Sequence, residues 1–249
     1  MHRVGRGFNP LSAHILSGNL NSARLSFVIR YDIVLSMIIT WYGLSCIKLE
    51  TQDTVLVCNP FGKDAEWGAD RSPRFRANIA CVSADNPLYN TVSGIEGTPF
   101  IITSPGEYEI GGITVVGVPC VSDKGGANTV FVIRAEGLTV VHLGAWSGSK
   151  IPEQVRTFCS GSDIFCVPIG GDGLADSGQA ATVAMQLEAN IVIPLMYHDA
   201  SAQKESGPVA KLVKAMNVSV EYQDRLSIRK KDISRDRTSI IVLHSQLAK

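Results

Sequence analysis

Apolar and polar positions fall into a regular pattern from Met37 onward. M-I-I-T-W-Y, S-C-I-K-L-E and T-V-L-V-C-N read as three consecutive strands, the last two joined as a hairpin by T-Q-D-T. A loop, P-F-G-K-D-A-E-W-G-A-D-R-S-P, leads into the apolar strand N-I-A-C-V. P-F-I-I-T and G-I-T-V-V-G-V-P are further strands. Between them lies S-P-G-E-Y-E-I-G, where Glu107 and Glu109 alternate on an apparent strand and share a solvated face. N-T-V-F-V-I-R-A and L-T-V-V-H-L-G flank Glu136-Gly137 as a tight hairpin.

The second half changes character. I-P-E-Q-V-R-T-F-C predicts a short helix with Pro at an early position. D-I-F-C-V-P-I-G-G-D-G is a buried strand ending in a glycine loop, and D-S-G-Q-A-A-T-V-A-M-Q-L-E is a helix. N-I-V-I-P-L-M-Y-H is another buried strand, followed by the helix G-P-V-A-K-L-V-K-A-M. V-S-V-E-Y, L-S-I and S-I-I-V-L-H are late strands. Strands thus dominate the first half and β-α-β units the second. Continuous β-branched runs imply strands buried on both faces, hence sheets covered by helices. The charged run R-L-S-I-R-K-K-D-I-S-R-D-R, 225–237, reads as a solvated turn between strands.

Composition narrows the function classes. A chain of 249 residues with 45% hydrophobic residues buries an ample core without disulfides or metal. Lys+Arg and Asp+Glu are equal at 23 each, so no overall field steers a polyanion, which argues against nucleic acid. The six cysteines form no C-x-x-C pair and sit mostly in apolar runs, as buried reduced thiols of a cytoplasmic protein do. No apolar run reaches the roughly 18 residues of a membrane span. Residues 1–36 carry Arg3, Arg6, Arg24 and Arg30 against one acid, Asp32. They read as an N-terminal extension, disordered or arising from a start placed too early; the transit-peptide reading is weaker. Residues 37–249 then make a single domain.

One stretch poses a chemical question. V-S-A-D-N-P-L-Y-N, 82–90, follows a buried strand, where α/β proteins place their chemistry. It nevertheless contains no histidine and only one carboxylate, Asp85. I-T-W-Y-G-L-S-C-I-K-L-E, V-L-V-C-N-P-F, S-P-G-E-Y-E-I-G-G-I, the N-T-V-F hairpin, and V-P-I-G-G-D-G through V-I-P-L-M-Y give the context. In order and spacing, these five segments resemble the metallo-β-lactamase-fold hydrolases. The resemblance is to the bacterial zinc-dependent hydrolase-like branch related to ascorbate-6-phosphate lactonases. It spans roughly Met37 to Tyr197. The fold it implies is an α/β (α+β) protein, an αββα sandwich of two mixed β-sheets flanked by helices.

The resemblance also implies a metal site, built from an H-x-H-x-D-H loop and later His and Asp ligands that activate a hydroxide. Against that pattern Ala84 and Asn86 stand at the first two His, Leu88 at the Asp and Tyr89 at the third His. Asn59 stands at the Asp of the D-P turn and Leu44 at the His of G-H-S. Ser122, Ala145 and Met196 stand at a ligand His, the bridging Asp and the last His. Ala and Leu donate nothing, and a zinc site needs three or four donors at about 2.0–2.3 Å. The expectation is therefore a non-catalytic binding or scaffold protein without a metal cofactor, its partner an unknown small molecule or protein. Asp85, Asn86, Tyr89, Asp123, His142, Asp172 and His198 are the remnant pocket candidates. Two alternatives stay open: an active hydrolase whose rearranged site would hold zinc, and an oligomeric assembly component. For His142 the plainer role is a core histidine satisfied by a backbone carbonyl. For G-G-D-G it is a strand-to-helix turn rather than a phosphate cradle.

Overall fold

The computed structural model describes residues 35–63, 65, 71–121, 126–171, 173–198, 201 and 204–247. The expected extension 1–36 therefore lies outside the described residues except for Leu35 and Ser36. The described residues fall in one compact unit, Val34–Lys249.

Among the described residues two mixed sheets face each other. The first contains β1 (Met37–Gly43), β2 (Cys46–Glu50), β3 (Val55–Cys58), β4 (Ile79–Cys81), β5 (Phe100–Ile102) and β13 (Leu226–Ile228), in the order β13-β1-β2-β3-β4-β5. The second contains β6 (Gly106–Ile110), β7 (Ile113–Val121), β8 (Ala127–Ala135), β9 (Leu138–His142), β10 (Ile164–Pro168), β11 (Ile191–Leu195), β12 (Ser219–Gln223) and β14 (Ser239–Leu243). Its order is β12-β14-β11-β10-β9-β8-β7-β6. The T-Q-D-T hairpin pairs β2 with β3, and Glu136-Gly137 turns β8 into β9, both in left-handed backbone. The apparent strand of Glu107 and Glu109 is β6, whose two acids are exposed on the sheet edge.

Helices supply the outer layer. α1 (Glu153–Cys159) packs on β7 and β8, α2 (Ser177–Gln186) on β10, and α3 (Pro208–Met216) against α2. Strands β10 and β11 are buried at every residue, as their unbroken apolar runs require when both faces are covered. α2 opens on a capping box in which Asp176 Oδ1 accepts from Gln179 N at 2.9 Å and Gln179 Oε1 accepts from Asp176 N at 3.0 Å. α3 starts with Pro208 and ends at Asn217 in left-handed conformation. No helix among the described residues is long and apolar enough to cross a membrane.

Trp41 of the first sheet stacks on Tyr197, which follows β11 of the second, with ring centroids 4.7 Å apart. The Trp41 indole N–H is satisfied by the Leu44 carbonyl at 3.0 Å, and the Tyr197 hydroxyl donates to Leu243 O at 3.1 Å. The charged run 225–237 differs from a purely solvated turn. It forms β13 and a 3₁₀ turn, Lys230–Asp232, and Lys230 Nζ lies 2.7 Å from both carboxylate oxygens of Asp163. Asp163 is buried before β10 and also accepts from Thr139 N at 2.8 Å. Alternating charges along the run hid this internal partner 67 residues away.

Candidate functional site

The site forms where β1, β3, β4, β9 and β11 end and the next residues turn. Three of these turns place a non-glycine residue in left-handed backbone: Leu44 (φ 49°), Asn59 (φ 50°) and Met196 (φ 58°). Asn tolerates this conformation readily; Leu and Met do not, so surrounding structure must enforce it. Met196 N donates to Leu44 O at 2.9 Å, tying the end of β11 to the β1–β2 turn across the sandwich. Both side chains are buried in the core.

Asn59 is the hub. Its Oδ1 accepts from Ser83 N at 2.9 Å, and its Nδ2 donates to Ser83 Oγ at 2.9 Å and Ser45 Oγ at 3.3 Å. The backbone N–H of Asn59 extends the β3–β4 ladder by donating to Cys81 O at 2.8 Å. Ser83 O in turn accepts from Thr129 N of β8 at 2.8 Å, so the hub bridges both sheets.

His142, at the end of β9, is fully buried beside this hub. Gly144 N donates to its Nδ1 at 3.1 Å, which leaves Nε2 protonated and donating to Ser45 O at 2.9 Å. Burial pulls its pKa down to about 4, against two hydrogen bonds that raise it. The unfolded chain takes up this proton near the ordinary 6.5, so acid favours unfolding. The stability tied to His142 is intact above that value and is lost as pH falls from 6.5 towards 4. We expect its loss to reach about 2 kcal/mol by pH 5, at 1.36 kcal/mol per unit. Urea titrations at pH 7 and 5 would measure the total change. The imidazole NMR shifts should stay those of the neutral Nε2–H tautomer throughout this range; movement near 6.5 would contradict the assignment.

Asn128, at the start of β8, completes the network. Its Nδ2 donates to Leu143 O at 2.9 Å and Cys120 Sγ at 3.2 Å, and its Oδ1 accepts from Ala145 N at 2.8 Å. Gly144 (φ 65°) sits so close that a Cβ would collide with Asn128 Oδ1 and Ser83. The Cys120 thiol is pushed up by burial, opposed by the Asn128 hydrogen bond, and so is no activated nucleophile.

The 82–90 stretch closes on itself. Asn86 Oδ1 accepts from Leu88 N at 2.9 Å, and Asn86 O accepts from the backbone N–H groups of Tyr89 and Asn90. Asp85 is exposed, its Oδ1 accepting from Asn90 Nδ2 at 2.8 Å. Tyr89 is buried, which pushes its phenol up to about 12. Ala84 and Leu88 are half-buried and pack on the core. His198 is exposed, its carbonyl closing a turn with Ser201. Asp123, Asp172 and Ser122 lie outside the described residues.

Among the described residues no group of three or more His, Cys, Asp and Glu could hold a metal ion. The donor chemistry agrees: Ala84, Leu88 and Ala145 offer no donor, Asn86 serves its own turn, and His142 has both ring nitrogens engaged. These residues do not fit a zinc site. At the glycine turn two of the described groups are engaged within the chain. Gly171 N is bonded to Ala175 O, and the Asp176 carboxylate already caps α2.

Beside the hub lies an open cleft of about 1170 Å³, bounded by the 83–93 turn, the end of β5 and the β7 and β8 termini. It brings together Asp85, Ser83, Cys120 and Asn128, but His142, His198, Asn86 and Tyr89 do not line it. Sequence reasoning missed Ser45, Ser83 and Asn128. The one available signal was polar residues flanking strands that are otherwise wholly apolar.

Comparison with known proteins places this geometry. Residues 38–196 match the family model described as a beta-lactamase superfamily domain. A Thermotoga maritima protein, described as a candidate Zn-dependent hydrolase of the metallo-β-lactamase superfamily, is 27% identical. The match covers 84% of this chain and 99% of that one, with a TM-score of 0.68. Igni18, a metallo hydrolase of Ignicoccus hospitalis, is 14% identical over 84% of this chain and 96% of its own, with a TM-score of 0.57. The metallo-β-lactamase-fold protein YhfI of Bacillus subtilis is 10% identical over 85% and 97%, also at 0.57. These last two share the fold alone. No curated protein matches the sequence.

Proposed function

The chain belongs to the beta-lactamase superfamily, and on that premise we propose that it is a non-catalytic member, a pseudoenzyme that binds a ligand in the cleft beside a degenerate metal site. One observation carries this reading. Asn59, Ser45, Ser83, His142 and Asn128 form a network of neutral hydrogen bonds at the strand ends. A metal-holding shell presents carboxylates and imidazoles with open lone pairs, whereas here the side chains satisfy one another and the backbone. The apolar side chains Leu44, Met196 and Ala145 occupy positions where the family resemblance expects donors. Six free, buried cysteines suit a reducing bacterial cytoplasm, where we place the protein.

The test is metal content together with hydrolysis. Protein purified without chelator should carry less than about a tenth of an equivalent of zinc, iron or manganese, because affinity at such sites needs the full donor set. Added zinc should not raise its melting temperature. One or two equivalents, with turnover of bis(p-nitrophenyl) phosphate, would overturn the reading. A rearranged hydrolase site drawing on Asp85, Asp123, His142, Asp172 or His198 would then take its place.

A further inference from the structure

We propose that the cleft takes an uncharged ligand with an apolar body and hydrogen-bonding groups, and discriminates against phosphate esters and carboxylates. This rests on the binding reading above and names its ligand class. The cavity, about 1170 Å³, is ample for a molecule of drug size. Among its described lining residues there is no Lys, Arg or His. The carboxylate among them, Asp85, has Oδ1 taken by Asn90. An anion leaving water for this cleft would meet no described cation, and a negative charge at its edge.

The wall favours the opposite kind of guest. Ile101 and Val121 are 49% and 66% exposed and both line the cleft, alongside Pro105 and Pro119. These are large apolar surfaces left uncovered at the mouth of a cavity, where an apolar body would shield them. The floor is hydroxyl and amide. Ser83 Oγ accepts the Asn59 amide proton, which leaves its own hydroxyl proton for a ligand acceptor. Thr103 and Thr129 add further neutral hydroxyls along the lining. An apolar rim over a neutral polar floor selects one chemistry, a carbonyl- or ether-bearing apolar molecule.

The experiment titrates the full chain with two fluorescent probes, neutral Nile red and anionic 1-anilinonaphthalene-8-sulfonate. Nile red should saturate at one per chain with Kd in roughly the micromolar range, and the sulfonate should bind at least about tenfold more weakly. Ile101→Asp should weaken Nile red by about tenfold. Val121→Lys, at an exposed position on the same rim, should strengthen the sulfonate about fivefold and weaken Nile red by about threefold or more, because it exchanges apolar wall for a cation. Equal or tighter sulfonate binding to the unaltered chain overturns the ligand class. So does Nile red binding that never saturates or ignores Ile101→Asp. Phosphodiester turnover, measured separately, would instead remove the non-catalytic reading whatever the dyes do.

Discussion

Asn59→Asp should destabilise the fold by about 3 kcal/mol at pH 7, although it changes one NH₂ for an oxygen and restores an acid the family pattern calls for. The reason is the hub geometry. Oδ1 can still accept from Ser83 N, but the second oxygen now faces Ser83 Oγ at 2.9 Å and Ser45 Oγ at 3.3 Å. Both hydroxyls must rotate to donate, and none of the hub's partners is a cation. A buried, unpaired carboxylate is held neutral more readily than charged, so its folded pKa lies above the ordinary value near 3.9. The penalty is therefore full at neutral pH and fades as pH falls through the folded pKa. Urea unfolding of variant and unaltered protein, compared at matched pH, should show the gap closing between pH 7 and 4. Equal stability at pH 7 would mean that a cation or a metal compensates the charge.

The second large effect lies far from the cleft. Lys230→Met should cost about 2–4 kcal/mol, or roughly 6–12 °C in melting temperature. The side chain of Asp163 is only 3% exposed, so losing its partner strands a buried charge. Lys230 is 42% exposed, which holds the loss below that of a pair wholly removed from water. Asp163→Asn should cost much less, about 1 kcal/mol, because the lysine can return to solvent and the amide oxygen can still accept from Thr139 N. Combining the two should recover most of the Lys230→Met loss. An equal cost for both single changes would show that the two act through packing and not through charge.

The fold was readable because its strands are long, apolar and separated by turn residues. Burial of β10 and β11 on both faces leaves no alternation to confuse with a surface strand. Ala84, Leu88, Ala145 and Met196 carry no metal-donating oxygen or nitrogen in their side chains where the resemblance expects donors, and that much is visible in the sequence alone. The hydrogen-bonded hub at the strand ends was not readable. Ser45, Ser83 and Asn128 are ordinary residues at strand ends, and only the meeting of two sheets brings them around Asn59 and His142. Periodicity records which face a residue shows but not which residue 97 positions away it meets, as Ser45 meets His142. Lys230 was obscure for the same reason: its neighbours in sequence are charged, and its partner is not a neighbour.

The left-handed residues Leu44, Asn59 and Met196 separate the address of a side chain from its identity. At Leu44 and Met196 the path is fixed by a backbone bond between the two residues, which asks nothing of either side chain. Exchanges there can alter the side chains that meet between the sheets without moving the backbone that carries them. In such a scaffold chemistry is interchangeable cargo on a fixed frame, and a change of function needs no change of fold.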